Sequence, residues 1–180
     1  MDLWKELEVG KEAPRIVHVV VVTPKDSANV CTYHHMKDIF ELSHIVHTPF
    51  RPPGDLGFVP QTYSEGNAPL DAVVLSSAPN HPRTVIECRP VALLRMSVDG
   101  VRDDRVICVP VVDATMQKVQ YWEQLNPHVM EDVQNFFESM FREQGRVLRV
   151  DSWLGAEEAR RAIERAMNLY RRRFGVTESI

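Results

Sequence analysis

The stretch Ile16-Val17-His18-Val19-Val20-Val21-Val22-Thr23 decides the fold class, because all but one of its residues are β-branched. A short run of this kind is typical of a buried β-strand. Pro24 follows it and ends the strand, since proline lacks the N–H that a sheet ladder needs. Other apolar or alternating runs predict further strands at residues 30–35, 39–47, 71–76, 84–97, 105–112 and 146–150.

Two helices are predicted near the C-terminus. Asn126 and Pro127 begin the first in the expected way, as N-cap and first helical residue, and Gly145 closes it. The second covers Ala156–Arg173, with acidic residues in its first turn and Arg171–Arg173 in its last. Strands first and helices last indicate an α+β domain, a small barrel with helices packed outside. We expect the barrel to be formed by the strands near residues 16–23, 30–35, 39–47, 84–97 and 105–112. Residues 49–82 hold seven of the twelve prolines and are expected to be mostly loop.

The composition bounds the function. The chain has 180 residues and a net charge of −4, which suits one soluble domain and argues against wrapping by nucleic acid. No apolar run is long enough for a membrane span, and no signal peptide is evident. Three scattered cysteines favour an intracellular location, in the cytoplasm or the mitochondrial matrix. We expect an N-terminal extension at residues 1–8, a domain at 9–175 and a tail at 176–180.

Several phrases, in unbroken order, resemble the soluble, Mg²⁺-dependent family I inorganic pyrophosphatases. They are Gly10–Pro14, Leu56–Glu65 (LGFVPQTYSE), Val85–Val91 (VIECRPV), Phe136–Glu138 and Asp151–Ala159 (DSWLGAEEA). The resemblance spans about residues 9–173. It implies that family's fold, a five-stranded OB-like barrel flanked by helices, and its chemistry, in which several Mg²⁺ ions polarise two phosphoryl groups.

The resemblance also implies a degenerate active site. Where the family signature is Asp-Gly-Asp-Pro-x-Asp, this chain has Gly66-Asn67-Ala68-Pro69-Leu70-Asp71. In the later hairpin Val98 replaces an aspartate, while Asp103 is kept and Arg105 replaces the lysine. The remaining departures fall at Val22, Cys31, Tyr33, His44, Pro52, Leu56, Met140 and Phe141. The apolar replacements among them suggest a cavity that has filled with side chains, and they are Val22, Leu56, Ala68, Val98, Met140 and Phe141.

Asp71 and Asp103, with Arg105, are therefore the vestigial site residues. No cofactor is expected beyond one weakly bound Mg²⁺ at the two aspartates. The preferred hypothesis is a catalytically inactive protein, kept as a structural or binding subunit of an intracellular protein or ribonucleoprotein complex. One alternative is a divergent Mg²⁺-dependent pyrophosphatase. The other is an anion- or nucleotide-sensing module that uses Arg89, Arg95 and Arg105.

Other candidates lie outside this site. Phe50 and Arg51, in the Pro-rich segment 47–55, are the predicted contact with a protein partner or a second copy of the chain. The basic face of the last helix offers an RNA contact through Arg160, Arg161, Arg171, Arg172 and Arg173. The cluster of His34, His35, His44 and His47 allows a Zn²⁺ site on a hairpin, although a polar sheet face is the simpler interpretation.

Overall fold

The computed structural model describes residues 1–175, which form nine strands and two α-helices. The strands are β1 (Val17–Thr23), β2 (Asn29–His34), β3 (Ile39–Ile45), β4 (Asp55–Val59), β5 (Leu70–Val74), β6 (Val85–Val98), β7 (Val101–Arg102), β8 (Arg105–Pro110) and β9 (Leu148–Gly155). The helices are α1 (Pro127–Glu143) and α2 (Ala156–Phe174). Within residues 1–175, no helix is long and apolar enough to cross a membrane.

Five strands close into a barrel. β1 pairs with β4, β4 with β5, β8 with β6 and β6 with β1, all antiparallel, while β5 and β8 pair in parallel. This cycle returns to its first strand and confirms the predicted α+β, OB-like barrel. β9 adds to β6 outside the ring, and β6 also carries the short strand β7.

The membership of the barrel differs from the sequence-based expectation. Residues 30–35 and 39–47 were predicted barrel strands, but β2 and β3 form a separate two-stranded hairpin. Their places are taken by β5 and by β4, which lies in the segment expected to be loop. All five residues of β4 are buried, and the prolines of that segment flank this strand without entering it.

Gly57 explains why β4 can join β1. A Cβ at this position would lie 2.2 Å from the carbonyl oxygen of Val20, closer than any side chain tolerates. The two backbones therefore approach only because position 57 is glycine. The residue interrupts the β-branched pattern of a strand, which is why the sequence does not reveal β4.

The two helices begin and pack as predicted. The side chain of Asn126 accepts a hydrogen bond from the His128 N–H at the start of α1. α1 buries Val133, Phe136 and Phe137 against one end of the barrel, and α2 buries an alanine-rich stripe around Ile163. The apolar faces of both helices thus extend the barrel core.

The N-terminal segment is anchored to the domain by its buried residues Leu3 and Trp4. Trp4 is only 1% exposed, and its Nε1–H donates to the carbonyl of Thr62 at 2.7 Å. Its ring lies among Tyr63, Tyr170 and Phe174. The division into an extension at 1–8 and a domain at 9–175 stays a prediction, and the predicted tail at 176–180 lies outside the described residues.

Candidate functional site

Strand pairing brings the vestigial residues together at one end of the barrel. Asp71 of β5 lies opposite Arg105 of β8 in the parallel register, and Asp103 lies two residues before Arg105, in the connection between β7 and β8. One guanidinium nitrogen of Arg105 lies 3.4 Å from Asp71 Oδ2, and another donates to Asp103 Oδ2 at 2.9 Å. The guanidinium carbon is 4.9 Å from the centre of the Phe137 ring. The two aspartates therefore meet as expected, with a cationic side chain between them.

We call Asp71, Asp103 and Arg105 the floor of the site, and their charges shift the pKa values of Asp71 and Arg105. Burial raises the pKa of Asp71 to about 6; Arg105 opposes the rise, and the charge of Asp103 adds to it. Because the Asp71 side chain is still 40% exposed, solvent limits this rise. Burial alone would lower the pKa of Arg105, but Asp103 and Asp71 raise it above its ordinary value. Arg105 thus remains a fixed positive charge that neutralises part of the carboxylate pair.

A cavity of about 430 Å³ opens above this floor. Its lining includes five positions where the family resemblance places polar or charged residues, namely Val22, Leu56, Ala68, Met140 and Phe141. The expectation that apolar side chains have filled the cavity is wrong, because these side chains form walls and leave the centre open. Val98, a sixth replaced position, packs instead into the core. We call this space the barrel-end cavity.

The donor set limits which metal the cavity can hold. Within residues 1–175, no group of three or more histidine, cysteine or acidic side chains is arranged to hold a metal ion. The residues present therefore do not fit a cluster of several Mg²⁺ ions. Asp71 and Asp103 do fit a single Mg²⁺, because that ion commonly binds one or two carboxylates and keeps waters or substrate oxygens as its other ligands.

The four histidines do not converge on one point. Nε2 of His44 lies 2.8 Å from Oε2 of Glu143, which is the last residue of α1. Glu143 also accepts hydrogen bonds from the backbone N–H groups of His47 and Thr48. The hydrogen bond with His44 lowers the pKa of this carboxyl. His35 packs edge-on against Trp4, so the cluster serves the packing of the hairpin and its following loop.

Some of the residues predicted to contact a partner are exposed, and others are engaged in contacts within the chain. Phe50 is 43% exposed, whereas the Arg51 guanidinium donates to the carbonyls of Thr48 and Phe50 within its own loop. On α2, Arg161 pairs with Glu158 at 3.0 Å. The other arginines of the predicted RNA contact lie on the same helix, at positions 160, 171, 172 and 173.

The arginines of the predicted sensing module have separate partners. Arg89 donates to the carbonyls of Gln117 and Val119, and Arg95 pairs with Asp104 at 3.3 Å. Arg105 is engaged by the two aspartates of the floor. The three guanidinium groups therefore do not converge on one anion site.

A second cavity, of about 280 Å³, was missed by sequence reasoning. It lies between α2 and the β6–β8 region, and Asp71 and Asp103 line both this cavity and the barrel-end cavity. Arg95 and Arg102 meet at Asp104 on its wall, at 3.3 and 3.1 Å. No local pattern brings β6, β7 and α2 together, so only the tertiary structure reveals this space.

Comparison with known proteins identifies the fold. The family model described as inorganic pyrophosphatase matches residues 19–171. The inorganic pyrophosphatase of Haloferax volcanii is 35% identical, over 97% of this chain and 99% of the relative, and that of Halobacterium salinarum is 36% identical, over 96% and 98%. The crystal structure of inorganic pyrophosphatase from Thermus thermophilus superposes with a TM-score of 0.89 at 30% identity, over 95% of this chain and 99% of that one.

These relatives overturn the preferred functional hypothesis. A catalytically inactive structural subunit was expected, but relatives that are 35 and 36% identical over almost the whole chain are named as inorganic pyrophosphatases. The prediction of an inactive complex subunit is wrong on this evidence, and the alternative of a divergent pyrophosphatase is better supported. Together with the closed barrel and the paired aspartates, the match over residues 19–171 shows that this chain belongs to the inorganic pyrophosphatase family.

Proposed function

We propose that the protein hydrolyses the phosphoanhydride bond of a diphosphate in a Mg²⁺-dependent reaction at the floor of the barrel-end cavity. The observation that carries the proposal is the meeting of Asp71, Asp103 and Arg105 within one ion-pair network at the open end of the barrel. Two carboxylates offer the hard oxygen ligands that Mg²⁺ prefers. A guanidinium offers paired N–H donors that match phosphate oxygens.

The remaining carboxylates support a single metal that is shared with the substrate. When bound, Mg²⁺ would polarise a phosphoryl oxygen and lower the pKa of a bound water. Asp71 and Asp103 would hold the ion from the protein side, since no third carboxylate of the described residues is placed to join them. Arg105 would then be partly released from the aspartates and would bind the phosphate group. The buried ring of Phe137 keeps the guanidinium in position for this exchange.

Phosphate release from diphosphate over a titration of Mg²⁺ tests the proposal. We expect measurable turnover that depends on Mg²⁺ and falls about a hundredfold or more in Asp103→Asn, because electrostatic contacts of this kind contribute several kcal/mol. Asp151→Asn is the matched control, since Asp151 is exposed and forms a surface ion pair with Arg149. Hydrolysis at background level at every Mg²⁺ concentration, or equal rates in Asp103→Asn and the parent protein, would contradict the proposal.

Partners and location also belong to the proposal. Exposed Phe50 supports a contact with a protein partner or a second copy of the chain. The arginine-rich outer face of α2, from Arg160 to Arg173, supports a contact with RNA or another polyanion. The cysteines at positions 31, 88 and 108 are free thiols, which supports an intracellular location.

A further inference from the structure

The connection between β7 and β8 carries charged side chains on both of its sides. Asp103 and Arg105 contact each other at the floor, and both line the barrel-end cavity. Asp104 lies between them in the chain and lines the second cavity instead. Consecutive side chains of an extended chain point to opposite sides, so Asp104 faces away from the floor. It can act on the floor only through the backbone that it shares with its two neighbours.

Two arginines hold the Asp104 carboxylate. Arg102 of β7 donates from Nε to Oδ2 of Asp104 at 3.1 Å, and a terminal nitrogen of Arg95 of β6 donates to the same oxygen at 3.3 Å. The Asp104 side chain is only 11% exposed. The backbone is held as well, since the Asp103 N–H donates to the carbonyl of Met96 at 2.8 Å. These contacts, which we call the Asp104 clamp, fix the connection against β6 and β7.

The stability of the fold does not account for the Asp104 clamp. An ion pair removed from water is weak evidence for stability, because the cost of desolvation offsets the attraction. Oδ1 of Asp104 and Nε of Arg95 are buried and have no hydrogen-bond partner within residues 1–175. Each unmatched atom costs free energy. The clamp is therefore better suited to holding the connection in one place than to stabilising the domain.

We infer that Asp104 is a positioning residue, which orients Asp103 and Arg105 for the binding of Mg²⁺ at the floor. This inference rests on the function proposed above and adds residues that contact neither the metal nor the substrate. Mg²⁺ requires near-ideal geometry, with its ligands at about 2.1 Å, so a small displacement of Asp103 weakens binding. Groups that orient metal ligands commonly contribute about ten- to a hundredfold in metal affinity.

Position and charge predict opposite effects when the two arginines of the clamp are removed. Arg95→Gln with Arg102→Gln takes two positive charges from the neighbourhood of the floor, which by itself would tighten the binding of a cation. If the arginines act by holding Asp104, the same change releases the connection and weakens the binding. Asp104→Asn weakens the binding of Mg²⁺ in both cases. The double arginine variant is therefore the decisive one.

Calorimetric titration with Mg²⁺, without substrate, tests the inference. Asp104→Asn and the double arginine variant should each raise the Kd for Mg²⁺ about tenfold. The matched controls are Glu158→Gln and the pair Arg161→Gln with Arg165→Gln, which change the same types of residue in the lining of the second cavity but leave the connection intact. They should keep the Kd of the parent protein. Circular dichroism at the titration temperature checks that every variant is folded.

Two outcomes of this titration would overturn the inference. One is unchanged or tighter binding of Mg²⁺ by the double arginine variant, which would mean that the arginines act only through their charge or not at all. The other is an equal loss of affinity in the control variants, which would mean that the second cavity as a whole affects the floor. A role in stability alone would lower the Tm and leave the Kd of the folded protein unchanged.

Phosphate release from diphosphate by the same proteins separates this inference from the proposed function. Turnover by the parent protein, together with unchanged Mg²⁺ binding in the clamp variants, would keep the proposed function and refute the positioning role. The expected losses of Mg²⁺ affinity without turnover by the parent would keep the positioning role and refute hydrolysis. If the parent protein does not bind Mg²⁺, both are wrong.

Discussion

Arg105→Met tests whether a protein cation holds the two aspartates together. The parent side chain is 14% exposed and contacts Asp71 at 3.4 Å and Asp103 at 2.9 Å. Removing one partner of a buried ion pair costs about 3 to 5 kcal/mol, because the remaining charges stay buried without compensation. The low end, about 3 kcal/mol, applies here because the Asp71 side chain is 40% exposed. For a chain of this length, that loss corresponds to a fall in Tm of roughly 9 °C.

Added Mg²⁺ should reverse this loss. An ion that binds only the folded state at a hundred times its Kd contributes about 2.7 kcal/mol, close to the stability that the substitution removes. Thermal unfolding is followed in EDTA and over a Mg²⁺ titration, with Arg149→Met as control. Arg149 pairs with Asp151 at 3.2 Å but is 82% exposed, so its loss should cost less than about 1 kcal/mol. The reasoning fails if Arg105→Met melts within about 2 °C of the parent in EDTA, or if Mg²⁺ raises its Tm no more than it raises the parent's.

Three further predictions concern the titration of Asp71, the N-terminal segment and the predicted contact surface. The pKa of Asp71 is raised to about 6 in the folded state from its ordinary value of 3.8, so the folded state holds this proton to higher pH than the unfolded chain does. Stability is therefore lost as pH rises from about 3.8 to about 6. Urea unfolding across this window should show a flatter profile for Asp71→Asn, and parallel profiles would refute the assignment. Trp4→Ala should lower the free energy of unfolding by about 3 to 5 kcal/mol in the same assay, and a cost below about 1 kcal/mol would show that the first segment is dispensable. Phe50→Ala with Arg51→Ala should weaken association with a native partner or second copy by about 2 kcal/mol with little change in Tm, and unchanged co-purification would move the contact elsewhere.

Local patterns were sufficient for some elements and not for others. β1 was predictable because seven β-branched residues in eight favour a strand in almost any context. β4 was not, because its burial depends on the approach of Val20 that Gly57 permits, and its flanking prolines resemble loop. The Asn126 cap of α1 and the charged end turns of α2 act within a few residues, so both helices were predicted nearly to their ends.

The site shows the same division between near and distant interactions. The family phrases located Asp71 and Asp103, but the position of Arg105 between them depends on the parallel register of β5 and β8. That register joins segments separated by more than thirty residues, and the local sequence of either segment does not predict it. The pairing of His44 with Glu143 spans 99 residues and was missed for the same reason. Sequence reasoning therefore found the residue types but not the ion pairs that set their charges.

The separate β2–β3 hairpin has a consequence for how the barrel-end cavity exchanges its contents. The two strands pair only with each other, and an isolated two-stranded ribbon is marginally stable in water. The hairpin is held to the barrel by the stacking of Tyr33 on Phe58 at 4.4 Å and by hydrogen bonds between Thr23 and Cys31. Local unfolding of this element costs less free energy than opening the closed ring, so its amide protons should exchange with solvent before those of β6. Val30 and Tyr33 form one wall of the cavity. Each local unfolding of the β2–β3 hairpin therefore exposes the cavity to solvent, and the hairpin controls how a ligand enters and leaves.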